Sequence, residues 1–157
     1  MIIPILTQDH EHAAVLRTPT KDVESFDEEL RDLVADMWDS MYAANGVGLA
    51  ATQIGSVLRV AVIDVLGTEA SKRRLVLVNP VIEWHDGQEN AVEGCLSMPG
   101  KSWPIVRAYT VSLTYQSMDG LEYRKICRGL LARAIQHECD HLDGVLCNSK
   151  ADTVSTW

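Results

Sequence analysis

The chain has 157 residues, of which 46% are hydrophobic and 23% charged, and its formal net charge is −8 at pH 7. This length and balance fit one globular domain with a single core. No apolar run approaches the roughly 18 residues of a membrane span, no basic segment of a secretory signal opens the chain, and no dense lysine and arginine cluster indicates nucleic-acid binding. We therefore expect a cytoplasmic protein, with its four cysteines present as reduced thiols.

The N-terminal part of the chain is predicted to contain an irregular segment and then one helix. Residues 1–24 show no regular periodicity and include two prolines. The helix is predicted to start at Ser25, because SFDE has the spacing of a capping box, with Ser25 as N-cap and Glu28 three residues later. Apolar residues then recur at helical spacing until Asn45 and Gly46 end the helix.

The middle of the chain is predicted to form strands. Residues 58–65 and 74–82 are rich in β-branched residues, and 105–117 is interpreted as one further strand. The turn MDG (118–120) joins that strand to an antiparallel partner at 121–127.

A second helix, predicted between Gly129 and Gly144, contains the pattern His137-Glu138-x-x-His141. Residues four apart lie one turn apart on nearly the same helix face, so both imidazoles can bind one ion. Glu138 lies about 100° around the helix from His137, where it can take a proton from a water molecule at the metal. We expect a catalytic metal site; a solvated helix face with two histidines is the ordinary alternative.

These elements predict an α+β fold, with mostly antiparallel sheets packed around a central metal-binding helix. We expect a single catalytic domain over residues 1–157, with an irregular N-terminal segment at 1–24 and a short C-terminal tail at 148–157.

The third metal ligand is not fixed by the residues around the motif. Cys139 lies about 200° around the helix from His137 and is expected to pack in the core. Cys147 has the spacing of the third ligand in a metzincin-type protease, although such proteases continue to a Met-turn and only ten residues follow here. Cys95 lies 42 residues before His137, so spacing cannot select it.

Three segments resemble peptide deformylases and come in that family's order: GVGLAATQIG (46–55), EGCLSMPG (93–100) and QHECDHLDG (136–144). The likeness extends over about residues 15–148. The resemblance implies a deformylase-like fold and a metal-dependent hydrolase. Such an enzyme removes the N-formyl group from the N-terminal methionine of newly made proteins and releases formate.

The resemblance implies one divalent ion bound by Cys95, His137 and His141, with an open fourth position. Fe²⁺ is expected first, with Zn²⁺, Ni²⁺ or Co²⁺ able to replace it. Glu138 would be the general base and acid. The remaining implied roles are oxyanion stabilisation by the backbone N–H of Leu96 and the amide of Gln53, and binding of the peptide as an added strand by Val47, Gly48 and Gly94.

Helix geometry adds Leu130 and Arg133, which lie on the same helix face as His137 and are expected to line the methionine pocket. Arg133 departs from the aliphatic residue usual in the family. We expect either its stem along the pocket wall with its guanidinium in water, or its guanidinium at the pocket mouth, where it would favour substrates with acidic or polar residues at the second or third position. The resemblance also implies an ion pair between Glu93 and Arg107.

The expected partners are N-formyl-methionyl peptides and nascent chains, and the protein is expected to be a monomer. Ribosome contact stays open, because SKADTVSTW (149–157) is not the basic C-terminal helix that many bacterial deformylases carry. A catalytically silent relative that keeps the fold is the non-enzymatic alternative.

Overall fold

The fold is described from a computed structural model that defines residues 1–65 and 74–154, with side chains as far as residue 150. Within these ranges, no helix is long and apolar enough to cross a membrane. The elements, in chain order, are a 3-10 helix at Ala13–Arg17, α1 at Glu28–Ala43, β1 at Gly48–Ala50, a second 3-10 helix at Ala51–Ile54, β2 at Val60–Asp64, β3 at Arg74–Asp86, β4 at Glu89–Cys95, β5 at Met98–Arg107, β6 at Thr110–Gln116, β7 at Glu122–Arg128, α2 at Gly129–Leu142 and α3 at Cys147–Val154.

Two antiparallel sheets surround the helix that carries the histidine motif. Strands β1, β2, β3, β6 and β7 form one sheet in that order, and β4 and β5 form a separate hairpin. All five residues of β2 are buried, because successive side chains point to opposite faces and a helix covers each face. Val60 and Val62 pack in the cluster of α1, whereas Ala61 and Ile63 pack in the cluster of α2. The predicted α+β class is confirmed.

Helix α1 begins two residues later than predicted. Asp27 is its N-cap, in an extended conformation, and its carboxylate accepts a hydrogen bond of 3.1 Å from the backbone N–H of Leu30. The predicted cap at Ser25 is therefore wrong: Asp27 has the same capping chemistry and lies immediately before the helix.

The prediction of one strand over 105–117 is also wrong, since the chain breaks between β5 and β6. At the break, the side-chain amide of Gln136 on α2 accepts from the backbone N–H of Ala108 at 3.0 Å and donates to its carbonyl at 2.9 Å. This side chain replaces the bonds that a neighbouring strand would supply, so the chain turns without leaving buried polar groups unpaired.

Other predicted elements agree with the structure within a few residues. Strands β2 and β3 cover the first two predicted strands, the β6–β7 hairpin turns at Gly120 with φ +83°, and α2 begins at the predicted Gly129. Helix α3 occupies the first part of the predicted tail at 148–157. The β4–β5 hairpin was not predicted.

Candidate metal centre and active site

Three side chains converge at the centre of the molecule. His137 and His141 project from the same face of α2, with ring centroids 4.9 Å apart. Cys95 comes from the C-terminal end of β4, and its Sγ lies 3.2 Å from Nε2 of His141. The three potential ligand atoms all lie within 4.8 Å of one another. One thiol and two imidazoles gathered this closely fit a single transition-metal ion.

The three cysteines considered as ligands occupy different places. As far as the structure describes the chain, Cys95 is the cysteine that joins the two histidines in a cluster. Cys147 begins α3 and is buried in the apolar cluster against which Cys95 packs. Cys139 lies in the core against the large sheet, as its position on the helix predicted.

Glu93 orients the first histidine. Its Oε1 lies 2.8 Å from Nδ1 of His137, which leaves Nε2 of that ring for a metal. Arg107 forms the predicted ion pair by donating to both carboxylate oxygens of Glu93, from Nε at 2.7 Å and Nη2 at 2.9 Å. Burial alone would raise the pKa of Glu93, but the hydrogen bonds from His137 and Arg107 lower it to about 2. Glu93 is therefore a carboxylate across the neutral range.

Arg133 contradicts both placements expected from helix geometry. It lines the cleft with its stem, but the whole residue is only 5% exposed. Its Nη1 donates to Oε2 of Glu93 at 2.5 Å and to the carbonyl of Ile105 at 2.9 Å, and its Nη2 donates to the carbonyl of Glu89 at 2.6 Å. The guanidinium thus points at the β4–β5 hairpin rather than at water. The β4–β5 hairpin, which was not predicted, supplies the carboxylate and carbonyl oxygens that accept these hydrogen bonds from the guanidinium.

Glu138 is a buried carboxylate beside the metal ligands. It is 4% exposed, and its Oε2 has no hydrogen-bond partner among the described residues. Burial is the main cause that raises its pKa, to about 7. Gly48 makes room for it, because a Cβ on Gly48 would lie 2.7 Å from Oε1 of Glu138. An unpaired carboxylate oxygen in a cleft is suited to accept and return a proton.

Gln53 and Leu96 both lie at the cleft. Gln53 is held from two sides: its Oε1 accepts from the backbone N–H of Ala50 at 3.0 Å, and its Nε2 donates to Oγ of Ser97 at 3.1 Å. The same Nε2 lies 3.8 Å from Sγ of Cys95. Leu96 and Ser97 form the tight turn between β4 and β5, directly after the cysteine.

A cleft of about 570 Å³ opens onto these groups. It lies between β1, the edge strand of the large sheet, and β4, which pairs only with β5 among the described strands. Both strands thus have an edge available for hydrogen bonding to another chain. The predicted peptide-binding and pocket residues that line the cleft are Val47, Gly48, Gly94, Leu130 and Arg133.

Several supporting residues were not found from the sequence. Ser97 holds Gln53, and Asp140 accepts from Nη1 of Arg107 at 2.6 Å. Asp140 lies three residues after His137 on α2, so helical spacing could have suggested a supporting role. Ser97 gave no such signal, because its partner lies 44 residues away in the chain.

Comparison with known proteins decides the family. A sequence model described as polypeptide deformylase matches residues 2–157. This chain belongs to the peptide deformylase family. The family removes the N-formyl group from nascent peptides and is metal-dependent. The alternative of a metzincin-type protease with Cys147 as a ligand is not supported.

Individual relatives agree with the family match. A peptide deformylase of Acidobacterium capsulatum is 48% identical over 132 residues, which are 84% of this chain and 78% of the relative. The crystal structure of a Synechococcus elongatus peptide deformylase in complex with actinonin matches 95% of this chain and 78% of that one, with 39% identity and a TM-score of 0.86. A Met-Ala-Ser-bound peptide deformylase of Acinetobacter baumannii matches 96% and 98%, with 27% identity and a TM-score of 0.87.

Proposed function

We propose that this chain is an active peptide deformylase in which Cys95, His137 and His141 bind one divalent metal ion. Its substrate is the N-formyl-methionyl terminus of peptides and nascent chains, and formate is released. The observation that carries the proposal is the cluster of three ligand atoms within 4.8 Å of one another, beside a buried carboxylate with one unpaired oxygen. The presence of both features in one open cleft favours an active enzyme over a catalytically silent relative.

The proposed ion is Fe²⁺, and Zn²⁺, Ni²⁺ or Co²⁺ are expected to occupy the same ligands. Imidazole and thiolate suit all four metals, and the protein offers three ligands, as catalytic sites with an open position do. The ion would act as a Lewis acid that lowers the pKa of water. Glu93 would hold the His137 ring in the orientation that keeps Nε2 directed at the ion.

Glu138 is proposed to move the proton. Its unpaired Oε2 would accept a proton from the water that attacks the formyl carbon, and would then return that proton to the leaving amine. Gly48 contributes by leaving space for this carboxylate, since any side chain there would press against it.

Leu96 and Gln53 are proposed to stabilise the oxyanion that forms on the formyl group. The backbone N–H of Leu96 is fixed by the tight turn between β4 and β5, and Gln53 is held by Ala50 and Ser97. Donors that are held in place before the reaction stabilise developing charge without having to reorganise.

The peptide is proposed to bind as an added strand between β1 and β4, through Val47, Gly48 and Gly94. Its methionine side chain would lie along the wall formed by Leu130 and the stem of Arg133. Leu130 is 56% exposed, and a substrate would cover it. We further propose that residues 1–157 act as one catalytic domain, as a monomer in the cytoplasm.

Metal analysis of cysteine variants tests the ligand set. We expect Cys95→Ser to lose most of its bound metal and its formate release, whereas Cys147→Ser, the matched control, keeps its metal. Elemental analysis after purification in a defined metal gives the metal content per chain. A Cys147→Ser protein without metal, together with a fully loaded Cys95→Ser protein, would exclude the proposed ligands.

A further inference from the structure

Arg133 links the two elements that carry the proposed metal ligands. Cys95 lies at the end of β4, and His137 and His141 lie on α2. Arg133 also lies on α2, about one helical turn before His137, and its guanidinium donates to both strands of the β4–β5 hairpin. Among the described strands, β4 pairs only with β5. The hairpin is therefore not tied to the large sheet by strand pairing, and side-chain contacts with α2 help to fix its position.

The guanidinium of Arg133 and the ring of His137 share one carboxylate. Oε2 of Glu93 accepts from Nη1 of Arg133 at 2.5 Å, and Oε1 lies 2.8 Å from Nδ1 of His137. Arg107 of β5 donates to both oxygens of the same carboxylate and also to Asp140 of α2. The carboxylate that orients the His137 ring is thus held by two guanidinium groups, one from the hairpin and one from the helix.

The other contacts of Arg133 lie at the open end of the hairpin. Its Nη1 donates to the carbonyl of Ile105 at 2.9 Å, and its Nη2 donates to the carbonyl of Glu89 at 2.6 Å. A guanidinium is a planar fork, so its donors act in fixed directions. Strand β4 runs from Glu89 through Glu93 to Cys95. By holding two points of this strand against α2, Arg133 restricts where Cys95 can lie relative to the histidines.

We propose that Arg133 is a positioning residue of the metal centre, which holds Cys95 of β4 and His137 of α2 in the mutual arrangement that binds one divalent ion. The guanidinium acts through Glu93 and the hairpin backbone and is not itself a ligand. Ligands that are ordered before the ion arrives bind it more tightly, because less ordering is required on binding. The inference rests on the proposed ligand set of Cys95, His137 and His141.

Zinc affinity tests this role. The purified full chain is stripped of metal and titrated with Zn²⁺ in competition with a chromophoric chelator. Arg133→Leu keeps an apolar side chain at the cleft but removes the guanidinium. We expect its Zn²⁺ affinity to fall by about 10- to 100-fold, the usual effect of removing a group that supports metal ligands. No substrate is present, so a failure of this inference is separate from a failure of the proposed deformylase activity.

Arg59→Leu is the matched control for a general loss of stability. The guanidinium of Arg59 makes the same kinds of contact, since it donates to the carboxylate of Asp143 at 2.8 Å and twice to the carbonyl of Pro80. Arg59 does not line the cleft. We expect Arg59→Leu to bind Zn²⁺ as tightly as the unmodified chain. Circular dichroism establishes that each variant is folded.

The absorption spectrum of bound Co²⁺ reports the arrangement of the ligands directly. At saturating Co²⁺, Arg133→Leu should show a weaker thiolate-to-cobalt charge-transfer band than the unmodified chain, because Cys95 is no longer held beside the histidines. If Arg133→Leu does not fold, Arg133→Lys replaces it. One ammonium group cannot make the forked contacts with the carboxylate and both carbonyls, so the same direction of change is expected.

Three results would overturn the inference while the ligand set stands. The first is an Arg133 variant that binds Zn²⁺ as tightly as the unmodified chain, and the second is one with an unchanged Co²⁺ spectrum. The third is an equal loss of affinity in Arg59→Leu, which would assign the effect to general destabilisation. An unmodified chain that binds no Zn²⁺ would overturn the ligand set and this inference together.

Discussion

Gln53 makes structural contacts in addition to its proposed catalytic role. Its amide contacts Ala50, Ser97 and Cys95, so a loss of activity in Gln53→Ala has two possible origins. We expect kcat to fall by about 10- to 10³-fold, as it does when an oxyanion donor is removed. Ser97→Ala is the control, because it removes one contact of Gln53 and leaves the amide in place. Equal losses in the two variants, or a change confined to KM, would show that Gln53 only supports the turn.

Arg133 is assigned to the architecture of the site by its contacts. Because its guanidinium is directed at Glu93 and at two backbone carbonyls, Arg133→Leu should lower the free energy of unfolding by about 2 kcal/mol, the scale of hydrogen bonds to a charged group. Urea unfolding measures this change.

The same substitution should change kcat/KM for acidic, neutral and basic formyl-Met-X-Y peptides by a common factor. A selective loss for acidic peptides would instead place the guanidinium charge against the substrate.

At the scale of elements, Glu93 connects the β4–β5 hairpin to α2. Its pKa of about 2 lies below the ordinary value of 4.5, so the folded protein binds the proton more weakly than the unfolded chain does. The resulting stabilisation is complete above pH 4.5 and is lost as the pH falls toward 2.

Glu93→Gln should therefore be less stable than the unmodified protein near neutral pH, by about 3–5 kcal/mol, because it leaves buried arginines without their carboxylate. The difference should narrow on acidification below pH 4.5. Urea unfolding of the metal-free proteins at several pH values measures it. A difference that stays constant down to about pH 3 would mean that the Glu93 carboxylate is not selectively stabilised in the fold.

The elements that the sequence predicted best are those whose pattern is local. Helix α2 and its two histidines follow from an i, i+4 spacing on a periodic apolar face, and β6–β7 follows from alternation around a turn. The break before β6 depends on Gln136, which lies 28 residues from its partner Ala108. A local sequence pattern cannot predict a contact between residues so far apart in the chain. The β4–β5 hairpin was not predicted because the first half of β5 is mostly exposed and includes Pro99 and Gly100, so it lacks the pattern of a buried strand.

At the scale of the whole molecule, the site is assembled from distant parts of the chain. Cys95 reaches the histidines only because β4 ends beside α2, so its role was implied by family resemblance and not by its own spacing. The inward direction of Arg133 likewise depends on the acceptors of the hairpin. Helix geometry alone correctly gave the face on which Arg133 lies, but the tertiary contacts determined where its charge points.

The central claim is that this chain hydrolyses the formyl group by proton transfer through Glu138 next to the three-ligand site. The most direct measurement is formate release from formyl-Met-Ala-Ser by the unmodified chain and by Glu138→Gln, each with its bound metal quantified. We predict formate release by the unmodified chain that a chelator abolishes, and in Glu138→Gln an equal metal content with kcat lower by at least about 10²-fold. Formate release by Glu138→Gln at the unmodified rate, or no formate release by the metal-loaded unmodified chain, would contradict the account.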